Sequence, residues 1–256
     1  MISSPWKFWL RCLPAAGIAL AALLARGEPV TRPGSVLHVA RWQGVQAYTA
    51  PTNLLRGEWL FNSTNDTSGL GNHGTLRGTA RLVGGVLILD GGGYFEIPDA
   101  PAFTLTNFTL ATWFYTTSTN QQTLVRNRVL GALGTASGFS HEIQSLTFNA
   151  NNLVEDTGTQ SITTPNSSGS MTNGAWTLAI LKRTNLVNLT MVENLAVVAR
   201  ATNASATAAI NTTNNLFVGS ISSNRNTIGG IGSVRIWGGE LTPQQEQDLF
   251  YAGPFP

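Results

Sequence analysis

The chain has 256 residues, of which 42% are hydrophobic and only 11% are charged, and its 27 glycines join many Asn, Ser and Thr residues. The low net charge excludes charge-driven disorder, and the single cysteine, Cys12, excludes an intramolecular disulfide. Beyond residue 25, 13 basic residues balance 13 acidic ones, since Lys7 and Arg11 account for two of the 15 basic residues. Without a cationic cluster, neither nucleic acid nor an anionic membrane surface is an expected partner.

The first 25 residues have the pattern of a targeting segment. Lys7 and Arg11 precede Cys12–Ala25, an uncharged apolar run of 14 residues. This run is shorter than the about 20 residues that span a bilayer, and small residues at Ala22 and Ala25 suit a signal-peptide cleavage site. We predict a signal peptide over residues 1–25 and a secreted or cell-surface protein. Aromatic residues near the start leave an uncleaved membrane anchor as the alternative.

Residues 26–56 are predicted to be a proline-containing lead-in, and residues 57–256 a single all-β domain. In this domain short apolar runs alternate with clusters of Gly, Asn, Ser and Thr, which is typical of an antiparallel sandwich or barrel. The predicted strands, in chain order, are Glu58–Phe61, Ala80–Val83, Val86–Leu89, Tyr94–Ile97, Phe108–Tyr115, Thr123–Asn127, Phe139–Phe148, Leu153–Glu155, Trp176–Lys182, Val187–Val192, Ala196–Ala201, Leu216–Ser220 and Gly232–Trp237. Large apolar groups alternate onto both faces of Phe108–Tyr115, so we expect this strand to be covered on both sides.

One short helix is predicted at the C-terminal end of the domain. Thr242 is placed to be its N-cap, Pro243 its first helical residue and Gln245 the partner in a capping box. Gly253 and Pro254 are expected to end it.

Several segments carry a family resemblance. They include Asp66–Gly74 after Trp59-Leu60-Phe61, Gly84–Gly91, Phe108–Trp113, Asn173–Ala179 and Ile231–Trp237. In this order and spacing they resemble the laminin-G-like domains of the concanavalin A-like lectin/glucanase superfamily, over roughly residues 57–253. The resemblance implies a two-sheet antiparallel jelly-roll sandwich with a short C-terminal helix. The sequence departs from the family at Gly232, where members usually carry an acidic residue, and this puts a metal at that position in doubt.

Asp66 is the most suggestive carboxylate. Its loop contains Asn72 and the glycines Gly69, Gly71 and Gly74, whose freedom at positive φ permits turns that aim carbonyl oxygens inward. A carboxylate with carbonyl and amide oxygens suits a structural calcium ion, and related domains often bind calcium in such loops. The alternative is that Asp66 and Asn72 cap a turn through hydrogen bonds to the backbone.

The sequence offers little for catalysis. Retaining glycosidases need two carboxyl groups about 5 Å apart, and the adjacent pair Glu155-Asp156 would point to opposite faces of a strand. His141 and Glu142 would be separated in the same way. His38, His73 and His141 lack metal-type spacing, so we expect each at a turn or on the surface.

Aromatic residues are the usual platforms for sugars. Trp113 and Trp176 are both expected to pack in the core or at a turn. Trp176, Trp237 and Tyr115 are nevertheless weak candidates for a carbohydrate platform, with Phe139 as a further one. We therefore predict a non-catalytic, lectin-like module that binds extracellular glycans. The alternatives are an adhesive domain that binds other extracellular proteins without a sugar site and, less favoured, a glucanase-type hydrolase.

Overall fold

The computed structural model describes residues 51, 54–127, 138–144, 147–154, 160–163, 171–204, 206, 209–210, 212–219 and 225–255. At 144, 147–154 and 160–163 it describes the backbone alone. The predicted signal peptide, His38, Glu155-Asp156 and almost all of the predicted lead-in lie outside the described residues.

The described chain forms strands joined by turns, with one α-helix near its end. The strands are β1 (Leu55–Trp59), β2 (Thr75–Gly78), β3 (Arg81–Val83), β4 (Val86–Asp90), β5 (Gly93–Ile97), β6 (Phe108–Thr116), β7 (Gln122–Arg126), β8 (Gly138–Gln144), β9 (Thr147–Val154), β10 (Gln160–Thr163), β11 (Thr177–Thr184), β12 (Asn188–Glu193), β13 (Ala196–Thr202), β14 (Leu216–Val218) and β15 (Ile228–Trp237). A one-turn 3-10 helix spans Pro101–Phe103, and the helix α1 spans Pro243–Ala252.

Two antiparallel sheets contain these strands. Sheet A has the order β13-β12-β11-β6-β15-β4-β3, and β1 also pairs with β15. Sheet B has the order β10-β9-β8-β7-β14-β5-β2. The chain is thus an all-β, two-sheet antiparallel jelly-roll sandwich with a short C-terminal helix, as the sequence predicts.

The main core lies between the two sheets. Sheet A contributes large side chains such as Phe108, Phe114 and Ile236, and sheet B contributes Phe95 and Phe139, all of which are buried. β6 is almost entirely buried on both faces, which confirms its predicted central position. Burial of this apolar surface is the main favourable contribution to folding.

A second apolar layer covers the outer face of sheet A. α1 packs there through Leu249 and Phe250, and the Phe250 ring stacks on Trp113 with centroids 5.8 Å apart. Lys182 of β11 also donates to Glu246 of α1 at 2.6 Å. The helix begins with the predicted capping box, in which Thr242 Oγ1 accepts from the Gln245 amide and the Gln245 side chain accepts from the Thr242 amide.

Several strands differ from the predictions. The predicted strand Phe139–Phe148 is in fact divided between β8 and β9, and β9 also includes Leu153 and Val154 of the predicted strand Leu153–Glu155. No glycine or proline lies between Gln144 and Thr147 in the sequence to mark the division. β1 begins at Leu55, before the predicted domain start, and its residues alternate between buried and half-buried. β2 and β10 are short and polar, so their sequences alone do not indicate strands.

Among the described residues, no helix has the length and apolar character needed to cross a membrane.

Candidate functional site

The Asp66 carboxylate organises the loop that follows β1. Its Oδ1 accepts from the Glu58 and Ser68 amides, both at 2.9 Å. Its Oδ2 accepts from the Asn72 amide at 2.9 Å and from the Ser68 hydroxyl at 2.8 Å. The carboxylate is buried, and its four acceptor positions are occupied by donors of the protein itself.

Asn72 and His73 complete the same loop. The Asn72 side chain donates to the Arg56 carbonyl at 3.0 Å, and the Asn72 carbonyl accepts from Trp59 Nε1 at 3.0 Å. His73 is exposed, as predicted, and its Nδ1 accepts from the Asp66 amide at 3.1 Å. The two Asn72 bonds join the loop to β1, and the His73 bond holds the two ends of the loop together.

This arrangement fits a turn cap better than a calcium site. A hard cation needs several oxygen ligands, whereas three backbone N–H groups and a hydroxyl point at this carboxylate. The described residues also contain no group of three or more His, Cys, Asp or Glu side chains that could hold a metal ion. Calcium at Asp66 and Asn72 stays a prediction to which the observed hydrogen bonds give no support.

Gly232 lies inside β15, at a register shift between Ile231 and Ser233. A Cβ atom there would meet the Pro254 carbonyl oxygen at 2.7 Å and the Trp176 ring at 3.2 Å. The acidic residue that family members usually carry at this position would not fit, because the C-terminal tail occupies its space.

Two of the predicted sugar platforms are in fact core residues. Trp237 is fully buried in the layer between sheet A and α1, and Trp113 lies in the same layer, as predicted. Phe139 is fully buried between the sheets, where it stacks on Phe108 with centroids 5.2 Å apart. Trp237 and Phe139 are therefore wrong as platforms, because each alternates onto a covered face of its strand.

Tyr115 and Trp176 do come together on the outer face of sheet A. Their ring centroids are 4.9 Å apart at an interplanar angle of 75°, and Phe255 meets Trp176 at 5.2 Å and 81°. All three residues are half-buried. Trp176 thus has a packing role, since it holds the C-terminal tail against sheet A.

An aromatic pair that the sequence analysis did not select lies on the outer face of sheet B. Tyr94 of β5 and Phe217 of β14 are half-buried, with ring centroids 5.7 Å apart at an interplanar angle of 65°. The buried neighbours of Tyr94 in β5, Phe95 and Ile97, belong to the core, so Tyr94 points away from it. The pair thus provides aromatic surface outside the core.

Polar side chains adjoin this pair. Register places Glu96 opposite both Phe217 and Thr75, and places Arg77 opposite Tyr94. Glu96 accepts from Arg77 Nε and from Asn215 Nδ2, both at 2.7 Å. We call Arg77, Tyr94, Glu96, Asn215 and Phe217 the sheet B patch.

The sheet B patch combines distant parts of the sequence. Tyr94 and Phe217 are far apart in the chain, and only the pairing of β5 with β14 brings them together. One local signal was available: in β5 the outward Tyr94 and Glu96 alternate with the buried Phe95 and Ile97. Alternation identifies the outward face of a strand but not its neighbours, so the patch could not be assembled from sequence.

The neighbouring part of the same face carries polar side chains that are buried and bind one another. On β8, Glu142 is buried and accepts from Ser140 Oγ at 2.9 Å, Gln121 Nε2 at 3.0 Å and Arg225 Nη1 at 2.8 Å. Arg126, opposite Ser140 in the register, is also buried. Within the described residues, none of the side chains bound to Glu142 is a carboxylate.

His141 corrects another expectation. It is fully buried, not at a turn or on the surface, because it alternates onto the core face of β8 between Phe139 and Ile143. Burial lowers the pKa of His141 from 6.5 to about 4. Its neighbour Glu142 points to the opposite face, so the two residues do not form an acid–base pair.

Comparison with known families now identifies the fold. The family model described as the concanavalin A-like lectin/glucanases superfamily, of laminin-G type, matches residues 89–245, more than half of the chain. The chain belongs to this superfamily. A sequence comparison with curated proteins finds no match.

Solved structures share the fold at low sequence identity. The chain is similar to the binding domain of Paraclostridial Mosquitocidal Protein 1, with 13% identity, a TM-score of 0.63 and coverage of 78% of this chain and 52% of the other. It is also similar to the binding domain of botulinum neurotoxin DC, solved in complex with SialylT, with 15% identity, a TM-score of 0.59 and coverage of 78% and 51%. Domain 4 of AbnA, an extracellular arabinanase from Geobacillus stearothermophilus, was solved with arabinotriose and has 18% identity, a TM-score of 0.54 and coverage of 77% and 98%. The chain thus spans about half of the two toxin structures and nearly all of the arabinanase domain.

Proposed function

We propose that the mature chain is an exported, non-catalytic, lectin-like module that binds extracellular glycans through the sheet B patch. The observation that carries the proposal is the half-buried pair Tyr94–Phe217 on an outward sheet face. An aromatic ring offers a negative face to the weakly positive C–H groups of a sugar ring. Glu96 and Asn215 beside it supply the small number of polar groups that orient a ligand.

Two further observations support this function. The arabinanase domain and the neurotoxin binding domain, which share the fold, were solved with arabinotriose and SialylT. Glu142, a carboxylate on the outer face of sheet B, is buried and binds Arg225, Gln121 and Ser140. Such a carboxylate is poorly placed to attack or protonate a glycosidic bond, which supports the non-catalytic part of the proposal.

Export and secretion rest on the sequence of residues 1–25, with its charged start and short apolar run. The proposal also includes a protein partner, because a glycan on a glycosylated surface is attached to a protein that the module would contact.

The test is a glycan-array screen of the secreted chain, followed by titration of each retained glycan. We expect Tyr94→Ala and Phe217→Ala to weaken binding at least tenfold while the melting temperature shows that each variant is folded. Tyr251→Ala is the matched control, since Tyr251 is 45% exposed on α1, which covers the other sheet. Binding should be the same in EDTA.

Two results would contradict this function. If Trp176→Ala abolishes binding and Tyr94→Ala does not, the glycan occupies the Tyr115–Trp176 cluster and the assigned site is wrong. If no glycan is retained from an array of neutral and acidic structures, the chain is not a lectin, and an adhesive role becomes the better explanation.

A further inference from the structure

Arg77 is held in an ion pair that binding of a neutral glycan does not require. Its side chain is 51% exposed, and its Nε donates to Glu96 Oε2 at 2.7 Å. An arginine pinned through Nε keeps its two terminal nitrogens free to donate elsewhere. Register places Arg77 directly opposite Tyr94, so the guanidinium and the phenol ring are neighbours on one sheet face.

Glu96 is the more buried partner of this ion pair, with 18% of its side chain exposed. Its second oxygen accepts from Asn215 Nδ2, and Asn215 Oδ1 in turn accepts from the Asp99 amide at 3.1 Å. The Asn215 hydrogen bond, followed by the Arg77 contact, lowers the pKa of Glu96, so this carboxylate is ionised at neutral pH. Glu96 therefore orients Arg77, and the guanidinium is the charge that the patch presents to solvent.

A guanidinium held in this way matches one ligand group especially well. Two parallel N–H donors fit the two oxygens of a carboxylate, and this bidentate geometry distinguishes arginine from lysine. A neutral sugar has hydroxyl groups and no equivalent planar acceptor. The neighbouring aromatic pair would meanwhile contact the ring of the sugar that carries the carboxylate.

We propose that Arg77 is a carboxylate subsite and that the sheet B patch selects acidic sugars over neutral ones. This inference rests on the proposed glycan-binding function. The shared chemistry is a sugar-ring carboxylate, which either a uronic acid or a sialic acid supplies.

The experiment compares matched ligands by titration calorimetry on the secreted chain. The probes are a galacturonic acid oligosaccharide against its carboxyl-reduced galactose counterpart, and sialyllactose against lactose. We expect at least tenfold tighter binding of one acidic probe than of its neutral match. Whichever acidic probe shows that preference identifies the source of the carboxylate.

Two variants of Arg77 and one control isolate the subsite. Arg77→Gln should remove the tenfold preference, with a larger loss of affinity for the acidic probe than for the neutral one. Arg77→Lys should keep only part of the preference, since lysine cannot donate two parallel hydrogen bonds to one carboxylate. Arg81→Gln is the control, because Arg81 is 58% exposed and pairs with Asp90 on β3 and β4, away from the aromatic pair. Its binding should equal that of the unmodified chain.

Distinct outcomes separate the two proposals. Equal affinity for acidic and neutral probes, with loss of both in Tyr94→Ala, would overturn the acidic-sugar inference and leave the glycan-binding function standing. The same holds if Arg77→Gln keeps the full preference. Failure of every probe and of the array would overturn both.

Discussion

At the scale of single residues, the Asp66 carboxylate has the most defined role in the structure. It binds the backbone of β1 and of its own loop at the same time, through Glu58, Ser68 and Asn72. Two of the glycines in this loop, Gly69 and Gly71, have positive φ angles of 89° and 76°. A loop with such glycines is costly to order, so a buried acceptor at its centre is a natural means of fixing it.

Asp66→Ala should lower the free energy of unfolding by roughly 2–3 kcal/mol, because three partly buried N–H donors lose their acceptor. Asp66→Asn, which keeps one oxygen, should lose less. Chemical denaturation measures both. EDTA should leave the melting temperature of the unmodified chain unchanged. Calcium would be established here if EDTA lowered that temperature and had no effect on Asp66→Ala.

His141 leads to a prediction about pH. Its pKa is about 4 when folded and 6.5 in an unfolded chain, so the unfolded state binds more protons between these values. Its contribution to stability is complete above pH 6.5 and is lost as the pH falls toward 4. At about 1.4 kcal/mol per unit of pKa, the loss approaches ~3 kcal/mol.

His141→Gln should therefore flatten the dependence of unfolding free energy on pH between 7 and 4, whatever its effect on stability at pH 7. Urea titrations at several pH values measure this slope. Equal slopes for the unmodified chain and the variant would show that His141 takes up its proton without unfolding.

At the scale of elements, α1 illustrates a structure that its own sequence specifies. The capping box of Thr242 and Gln245 is local, and it forms as predicted. Thr242→Ala should cost about 1 kcal/mol of stability. Because the two side chains satisfy each other's backbone, Thr242→Ala and Gln245→Ala together should cost less than the sum of the single changes. Additive losses in thermal or chemical denaturation would contradict a coupled cap.

Strands were predictable where a turn has clear chemistry between two apolar runs. Gly84 and Gly85, which lie between the predicted strands Ala80–Val83 and Val86–Leu89, have positive φ angles of 58° and 78° and join β3 to β4 in a tight hairpin. Where no glycine or proline separates two apolar runs, as between β8 and β9, the sequence predicts one strand in place of two. A short polar strand such as β2 forms because it pairs with a neighbouring strand, β5. Its own residues do not indicate that partner.

At the scale of the whole molecule, the family and the sandwich could be predicted, whereas the sheet B patch could not. The family segments follow each other along the chain, so their order is a property of the sequence. The patch depends on register between β2, β5 and β14, in which Asn215 and Glu96 meet across 119 positions. The burial of Trp237 could not be predicted for a similar reason, since it depends on which face of sheet A the helix α1 covers.

The pairing of β15 has a consequence for how the chain reaches its native state. β15 lies beside β6 along its length, and its other edge pairs first with β4 and then with β1, so that Leu55 faces Trp237. Closing contacts of such long sequence separation makes folding slow. β1 gains its strand partner only after nearly the entire domain has been synthesised. For this topology the last strand of sheet A therefore determines when the first can be placed.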